Sequence, residues 1–379
     1  PSSSITCLDG YPMAREGRAG VALLVTALAS FFGGVFGILV IAALAPVLAD
    51  FALLLEPADY FAVMLLGLVA ASVVSSSGTL RGVMMVTLGV LLGTIGVDVN
   101  SGATRFTGGV QDLRDGINLV VVAMGLFGVS EAMFSARGAS ASYATEKVSW
   151  QRFLPMRSEW LRCLGPALRG SLIGSFFGTL PGTGQTVASS IGYAVEKRVS
   201  PNRANFGKGA IEGVVVPESA NNAAAQTAFI PTLTLGIPGS TTMALMIGAL
   251  MIHGVTPGPR LISDHPALFW GLIVSFLFGN LFLLVLNIPL IGIWVRLLRI
   301  PHYFLYPTIV VLISIGVYSL DHSLFDVWAM LGFGVLGYVL RLYRYEPAPL
   351  LIGFILGPMM EEYLRRAMLL SRGDPMIFL

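Results

Sequence analysis

The sequence predicts an all-α, polytopic transmembrane helical protein with a re-entrant hairpin and broken helices, and three observations carry that prediction. Only 12% of its 379 residues are charged and 55% are hydrophobic, against a charged share of ~25% in soluble domains, and the mean hydropathy is +0.79. A soluble globular chain is excluded. Apolar runs close to the ~20 residues that cross a ~30 Å hydrocarbon core recur along the sequence. In the middle of the chain the apolar sequence breaks twice, at Pro181-Gly182 and Pro238-Gly239. The 44 glycines fit membrane helices that pack closely or break.

Charge excludes further classes. The formal charge of +2 comes from 23 basic and 21 acidic residues with no block of like sign, so no nucleic acid partner is expected and the lipid bilayer is the surrounding medium. Cys7 and Cys163 give neither a disulfide framework nor a metal-ligand cluster. His253, His265, His302 and His322 are scattered, without metal-ligand spacing. The chain starts at Pro1 without the basic–apolar–small order of a signal peptide, and is expected to be a piece of a longer protein.

The first segment, 1–134, holds apolar runs at 20–49, 60–75, 83–97 and 117–134, the second short and the third marginal for a span. The loops between them carry Arg15 and Arg18, then Asp50, Glu56 and Asp59, then Arg81, then Asp98, Asp112 and Asp115 with Arg105 and Arg114. The segment 135–164 carries Arg137, Lys147, Arg152, Arg157 and Arg162 against Glu146 and Glu159, which the positive-inside rule places in the cytoplasm. From 261 to 379 the pattern is ordinary again, with apolar runs at 267–290, 306–320 and 327–340. Arg296 and Arg299 mark one cytoplasmic turn, Asp321 and Asp326 an outer one, and Arg341 and Arg344 another cytoplasmic one. The run 348–360 is too short to span and is followed by Glu361, Glu362, Arg365 and Arg366. It is expected to insert partway or to be completed by further chain.

The segment 165–260 interrupts itself. Arms 165–180 and 186–195 flank Pro181-Gly182-Thr183-Gly184-Gln185, and at 1.5 Å per residue they reach only about 24 Å and 15 Å. Basic residues stand at both ends: Arg162 and Arg169 before, Lys197, Arg198, Arg203 and Lys208 after. A re-entrant hairpin entering from the cytoplasm satisfies both facts. Pro181 ends the first arm, the glycines permit the turn, and Thr186 caps the second arm, whose free N–H groups suit an anion. The second break, Ile237-Pro238-Gly239-Ser240, repeats the aliphatic-Pro-Gly-hydroxyl core of Leu180-Pro181-Gly182-Thr183. Paired interrupted segments point to the binding site of an inverted-repeat secondary transporter. Between them, Pro217-Glu218-Ser219-Ala220-Asn221-Asn222 is strongly polar for such a chain, which marks it as a functional candidate.

Other matches are discarded. Leu-Pro-Gly-Thr-Gly at 180–184 spells a sortase signal in the wrong place, Gly182-x-Gly184 lacks the third glycine of a dinucleotide fingerprint, and Gly207-Lys208 lacks the rest of a P-loop. Ser75-Ser76-Ser77 suits hydrogen bonding between helices. The bland alternatives are packing kinks at the two breaks and helix capping or helix–helix hydrogen bonds by Asn221 and Asn222.

Leu180 to Gly184, Asn205-Phe206-Gly207-Lys208-Gly209-Ala210-Ile211-Glu212-Gly213, Pro217 to Ala223, Leu235 to Ser240 and His253-Gly254-Val255-Thr256-Pro257-Gly258-Pro259 together resemble the large permease subunit of the tripartite tricarboxylate transporters, the TctA family. Leu8-Asp9-Gly10-Tyr11-Pro12 is similar to the family's earlier repeat, and Leu356-Gly357-Pro358 with Glu361, Arg365 and Arg366 to its C-terminal region. The resemblance implies a multi-pass permease of the bacterial inner membrane that imports di- and tricarboxylates. It would work by symport with Na+ or H+, alongside a small membrane subunit (TctB-like) and a periplasmic solute-binding protein (TctC-like), with no cofactor. It also implies that further chain precedes Pro1 and follows Leu379.

The expected substrate contacts are Thr183, Gly184, Gln185 and Thr186 at one tip and Gly239, Ser240, Thr241 and Thr242 at the other, donating hydroxyl, amide and backbone N–H groups to carboxylates. Asn221 and Asn222, with unwound carbonyls, are the expected cation ligands. A secondary transporter or channel for another small organic solute is the alternative, the channel disfavoured because the polar residues concentrate at two breaks. An intramembrane enzyme is disfavoured because no Ser, His and Asp spacing suggests a nucleophile with a base.

Overall fold

The computed structural model describes residues 2–75, 77–98, 101–137, 155–180, 184–290 and 302–378. In chain order, α1 is Cys7–Met13 and α2 is Ala19–Ala52, separated by a wide helical turn whose Gly17 takes φ 76°. α3 is Pro57–Val74, opened by Pro57 and by the Asp59 carboxylate accepting from the Glu56 N–H at 2.9 Å, and α4 is Thr79–Gly93. A two-residue pair of strands, β1 (Gly96–Val97) and β2 (Thr104–Arg105), precedes α5 (Leu119–Ala123), which Asn118 caps by accepting from the Val120 N–H at 2.9 Å. A π-helical turn, Met124–Val129, joins α5 to α6 (Ser130–Arg137).

α7 is Arg157–Thr179, α8 is Gly184–Val199, α9 is Glu212–Thr227, α10 is Phe229–Leu235 and α11 is Thr241–Ile252. α12 (Leu261–Asp264) and α13 (Pro266–Asn287) follow, then α14 (His302–Asp321), α15 (Leu324–Leu342) and α16 (Ala348–Leu370). The fold is all-α and polytopic. Among the described residues five helical stretches are long and apolar enough to cross a membrane: Cys7–Ala52, Leu119–Arg137, Pro266–Asn287, Phe304–Asp321 and Leu324–Leu342. They match the runs at 20–49, 117–134, 267–290, 306–320 and 327–340.

Three expectations change. The runs at 60–75 and 83–97 form α3 and α4, 18 and 15 residues long, which pack on each other as a hairpin. The short run at 348–360 does not end at Met360: α16 continues for 23 residues, with Pro349 to Gly357 buried. α7 starts at Arg157 rather than 165 and is also 23 residues long, so the length argument against a full crossing applies only to its apolar part.

The chain divides into two compact units that cut across the linear segments. The first comprises Pro1–Leu53, Ala144–Gly239 and Thr256–Leu298, the second Leu54–Tyr143, Ser240–Val255 and Arg299–Leu379. In the first unit α9 is the centre, buried without interruption from Glu212 to Asn221. Small residues make this possible: a Cβ on Gly170 or Gly178 of α7 would stand 2.6 Å from the Val216 or Ala224 carbonyl, and one on Gly174 would overlap the Ala220 carbonyl. α2 approaches from another side, where a Cβ on Gly37 would stand 2.9 Å from the Ala223 carbonyl. Without a hydrophobic drive between helices in lipid, such backbone contact is how they associate.

In the second unit the α3–α4 hairpin grips α16 in the same manner, with Gly89 against the Leu350 carbonyl and Gly353 against the Val86 carbonyl. The α5–α6 stretch packs on α15, where a Cβ on Gly337 would lie 2.9 Å from the Leu126 carbonyl.

Candidate functional site

Each break is built from local chemistry. At the first, Pro181, Gly182 and Thr183 lie outside the described residues. Gly184 takes φ +65°, with no atom of the described residues near a would-be Cβ, a left-handed geometry that glycine adopts without penalty. α8 begins there, so Thr186 is exposed in its first turn and is not the cap, which corrects the expectation. Gln185 is half-buried, and its carbonyl accepts from the Ser189 hydroxyl at 2.9 Å.

At the second break α10 ends on Gly236, which takes φ 72°. The Thr232 hydroxyl sits 2.7 Å from the Ala228 carbonyl and 3.3 Å from the Ile237 carbonyl, tying the break back to α10. Gly239 is neither left-handed nor crowded: a Cβ there would meet Ala228 at 3.6 Å and the Gly178 carbonyl at 3.8 Å. Gly236 is the position that needs glycine. Ser240 caps α11 by accepting from the Met243 N–H at 3.3 Å, Thr242 is exposed, and the side chain of Thr241 lies outside the described residues.

α9 carries the polar interior. Asn221 is 8% exposed, and among the described residues its Oδ1 has no hydrogen-bond donor, nor has the buried Oε1 of Gln226. Asn222 donates from Nδ2 to the Glu218 carbonyl at 3.0 Å and to Glu218 Oε1 at 3.2 Å. Glu218 also accepts from the Thr6 hydroxyl at 2.9 Å and the Ser30 hydroxyl at 2.8 Å. Sequence reading quoted Glu218 within the polar stretch but did not single it out, and it missed Thr6 and Ser30. The available signal was that no other acidic residue lies between Gly213 and Ser263.

Charges at the ends of α9 and α8 are paired. Arg162 donates to Glu212 from Nε at 2.9 Å and Nη2 at 2.6 Å, and Arg169 donates to Glu196 at 2.7 and 2.6 Å. These four side chains, with Ser200 and Asn202, line a cavity of about 450 Å³. Asp9, fully buried, accepts from the backbone N–H groups of Gly207, Gly209 and Ala210 at 2.8, 2.9 and 2.8 Å, and from the Tyr193 hydroxyl at 2.8 Å. The turn that aims those N–H groups puts Gly207 at φ 81° and Gly209 at φ 100°, which explains these two glycines of the 205–213 stretch.

The sequence profile described as the Tripartite tricarboxylate transporter TctA family matches residues 1–352. The chain belongs to this family. A 52.8 kDa protein of Agrobacterium vitis, described by its place in the TAR-I ttuC' 3' region, is 49% identical over 377 residues, covering 100% of this chain and 75% of its own length. Another protein of that organism, from the TAR-II ttuC' 3' region, is 58% identical over 205 residues, covering 54% of this chain and 85% of its own length. No solved structure matches the chain.

As a TctA-family member with several membrane-length apolar helices, the chain is a multi-pass membrane protein of a transporter family, one whose transporters have other subunits. Among the described residues no group of three or more His, Cys, Asp or Glu is placed to hold a metal ion. The 205–213 cradle and the α9 polar stretch, two of the segments carrying the resemblance, both lie in the first unit.

Proposed function

We propose that this TctA-family chain is the permease subunit that imports di- and tricarboxylates of citrate type across the bacterial inner membrane by symport with Na+ or H+. It would receive substrate from a TctC-like periplasmic binding protein and work beside a TctB-like small membrane subunit. The single observation that carries the reading is α9: a helix buried from Glu212 to Asn221, inside a chain of this family, that keeps acceptor oxygens of Asn221 and Gln226 without donors among the described residues. Buried polar groups left unsatisfied are costly and mark functional pathways in membrane proteins.

Coupling follows from electrostatics. Moving an anion into a negative interior costs about 2.3 kcal/mol per charge per 100 mV, so a di- or trianion needs co-transported cations. Asn221 and Asn222 are the proposed cation ligands. Gly184, Gln185, Thr186 and Thr183 at the first break, and Gly239, Ser240, Thr241 and Thr242 at the second, are proposed substrate contacts through helix-start N–H groups and hydroxyls. The α7–α8 hairpin is proposed to enter from the cytoplasm.

Uptake of a labelled carboxylate panel by cells carrying the full-length protein, with and without the binding protein and an imposed Na+ or H+ gradient, tests the reading. Gradient-driven, binding-protein-dependent uptake of a carboxylate is expected. Uptake of none of the panel under any gradient would overturn it.

A further inference from the structure

Among the described residues the first unit buries five carboxylates, and four of them are matched by cationic side chains or by a set of backbone N–H groups. Glu159 accepts from Arg18 at 2.5 Å, Glu196 from Arg169, Glu212 from Arg162, and Asp9 from three N–H groups of its cradle. Glu218, 6% exposed, is different. Its donors are all neutral side chains, Thr6, Ser30 and Asn222, and among the described residues it has no ion pair. Ser30 stands ten residues into the apolar run 20–49 of α2, about 15 Å along the helix from the start of that run and well inside it. A carboxylate held there by hydroxyls and an amide alone lacks charge compensation.

The atoms around it are those a hard monovalent cation takes. Two carboxylate oxygens and two hydroxyl oxygens converge from the start of the chain, from α2 and from α9. Each hydroxyl can turn its proton outward and present a lone pair instead. Asn222 brings its Oδ1 by turning its amide, and at the next residue Asn221 Oδ1 is an acceptor with no donor among the described residues. Pro217, immediately before Glu218, offers no N–H to the Gly213 carbonyl one turn earlier. The segment is thus richer in acceptors than in donors, and among the described residues no cationic side chain supplies the positive charge that a carboxylate there calls for.

We infer that Glu218, with Thr6, Ser30 and Asn222, forms an alkali-cation site that takes Na+, Glu218 being its anionic ligand. This rests on the transporter reading and deepens it. The carboxylate, rather than the neighbouring asparagines alone, sets the affinity, and cation binding cancels the buried charge on α9. The helix that Na+ neutralises is the one that α2 and α7 grip through their glycines, so ion occupancy bears directly on the packing of the first unit.

The test is binding of radiolabelled Na+ to the purified full-length protein in detergent, without substrate or other subunits, together with its thermal unfolding in NaCl against choline chloride at fixed ionic strength. Saturable binding and Na+-specific stabilisation are expected for the wild type, and both should vanish in Glu218→Gln. Ser30→Ala and Thr6→Val, which keep the charge, should each raise the half-saturating Na+ concentration about tenfold. If Glu218→Gln does not fold, these two variants decide, and unchanged Na+ affinity in both overturns the site. Wild-type protein that is stabilised by lower pH but binds no Na+ overturns it in favour of a proton. Because no transport is measured, either failure leaves carboxylate uptake standing, and failed uptake with intact Na+ binding would strike only the substrate reading.

Discussion

Arg169 and Glu196 join the two arms of the α7–α8 hairpin, the arginine donating to both carboxylate oxygens at 2.7 and 2.6 Å from positions nearly equidistant from the break at 181–183. That symmetry makes the arms antiparallel and fixes their register. Glu196 is only 1% exposed while Arg169 is 40% exposed, so the cost of losing the pair falls on the carboxylate.

Arg169→Met should therefore destabilise the purified protein by about 2–3 kcal/mol, below the ~3–5 kcal/mol of a fully buried pair because the arginine is partly wet. The double variant Arg169→Met with Glu196→Gln should recover most of the loss, since no buried charge is left unmatched. Thermal unfolding in detergent checks both. A double variant no better than the single one would mean that the pair does not organise the hairpin.

The glycines divide by what surrounds them. A Cβ on Gly174 would overlap the Ala220 backbone carbonyl, which cannot step aside, whereas one on Gly239 would rest at ordinary contact distances of 3.6 and 3.8 Å. Gly174→Ala should cost about 1–3 kcal/mol by forcing α7 off α9, and Gly239→Ala should be near neutral. Equal melting temperatures for the two variants would contradict the packing of α9.

The apolar spans were legible because membrane crossing is written in contiguous composition, and Gly184 was legible because a left-handed turn needs glycine within a few residues of the proline. The start of α8 was not, since helix initiation at Gly184 rather than at Thr186 depends on where the backbone turns. Glu218 was readable as polar but not as unmatched. Its partners Thr6 and Ser30 lie 212 and 188 residues away, and no local pattern distinguishes a carboxylate that meets an arginine from one that meets two hydroxyls. Likewise α3 and α4 have the composition of marginal spans, and only α16 filling their groove reveals a hairpin.

Sidedness of the α7–α8 hairpin is checked with single cysteines at Lys147 and Arg203 in a background of Cys7→Ser and Cys163→Ala. Both should react with an impermeant thiol reagent only after the cytoplasmic face is opened, and opposite sidedness would sink the re-entrant reading. The native Cys163 must be removed for accuracy of background but also carries its own prediction. Burial, followed by the Glu212 and Glu159 carboxylates, pushes its thiol up to about 11. Because the thiolate is the reactive form, its alkylation in the Cys7→Ser protein should be slow near neutral pH. The rate should climb about tenfold per pH unit toward that value, and a pH-independent rate would contradict the buried setting.

The first break depends on backbone shape at Gly184. Its φ of +65° is one that β-branched residues adopt only at a cost, and among the described residues no atom crowds the would-be Cβ, so the expected effect of substitution there is on backbone conformation. A left-handed residue other than glycine costs about 1–2 kcal/mol, enough to turn the start of α8 out of its geometry without unfolding a polytopic chain. Gly184→Val should thus insert at normal levels and lose carboxylate uptake, because the first N–H groups of α8 no longer point where a carboxylate would sit. Gly184→Asn should retain much of the uptake, since asparagine tolerates the left-handed region, and Thr183→Ser should be mild because the hydroxyl is kept. Binding of substrate by the proposed periplasmic binding protein should be unaffected by all three. Full uptake by Gly184→Val would show that the break is a packing kink and that the substrate carboxylates are held elsewhere.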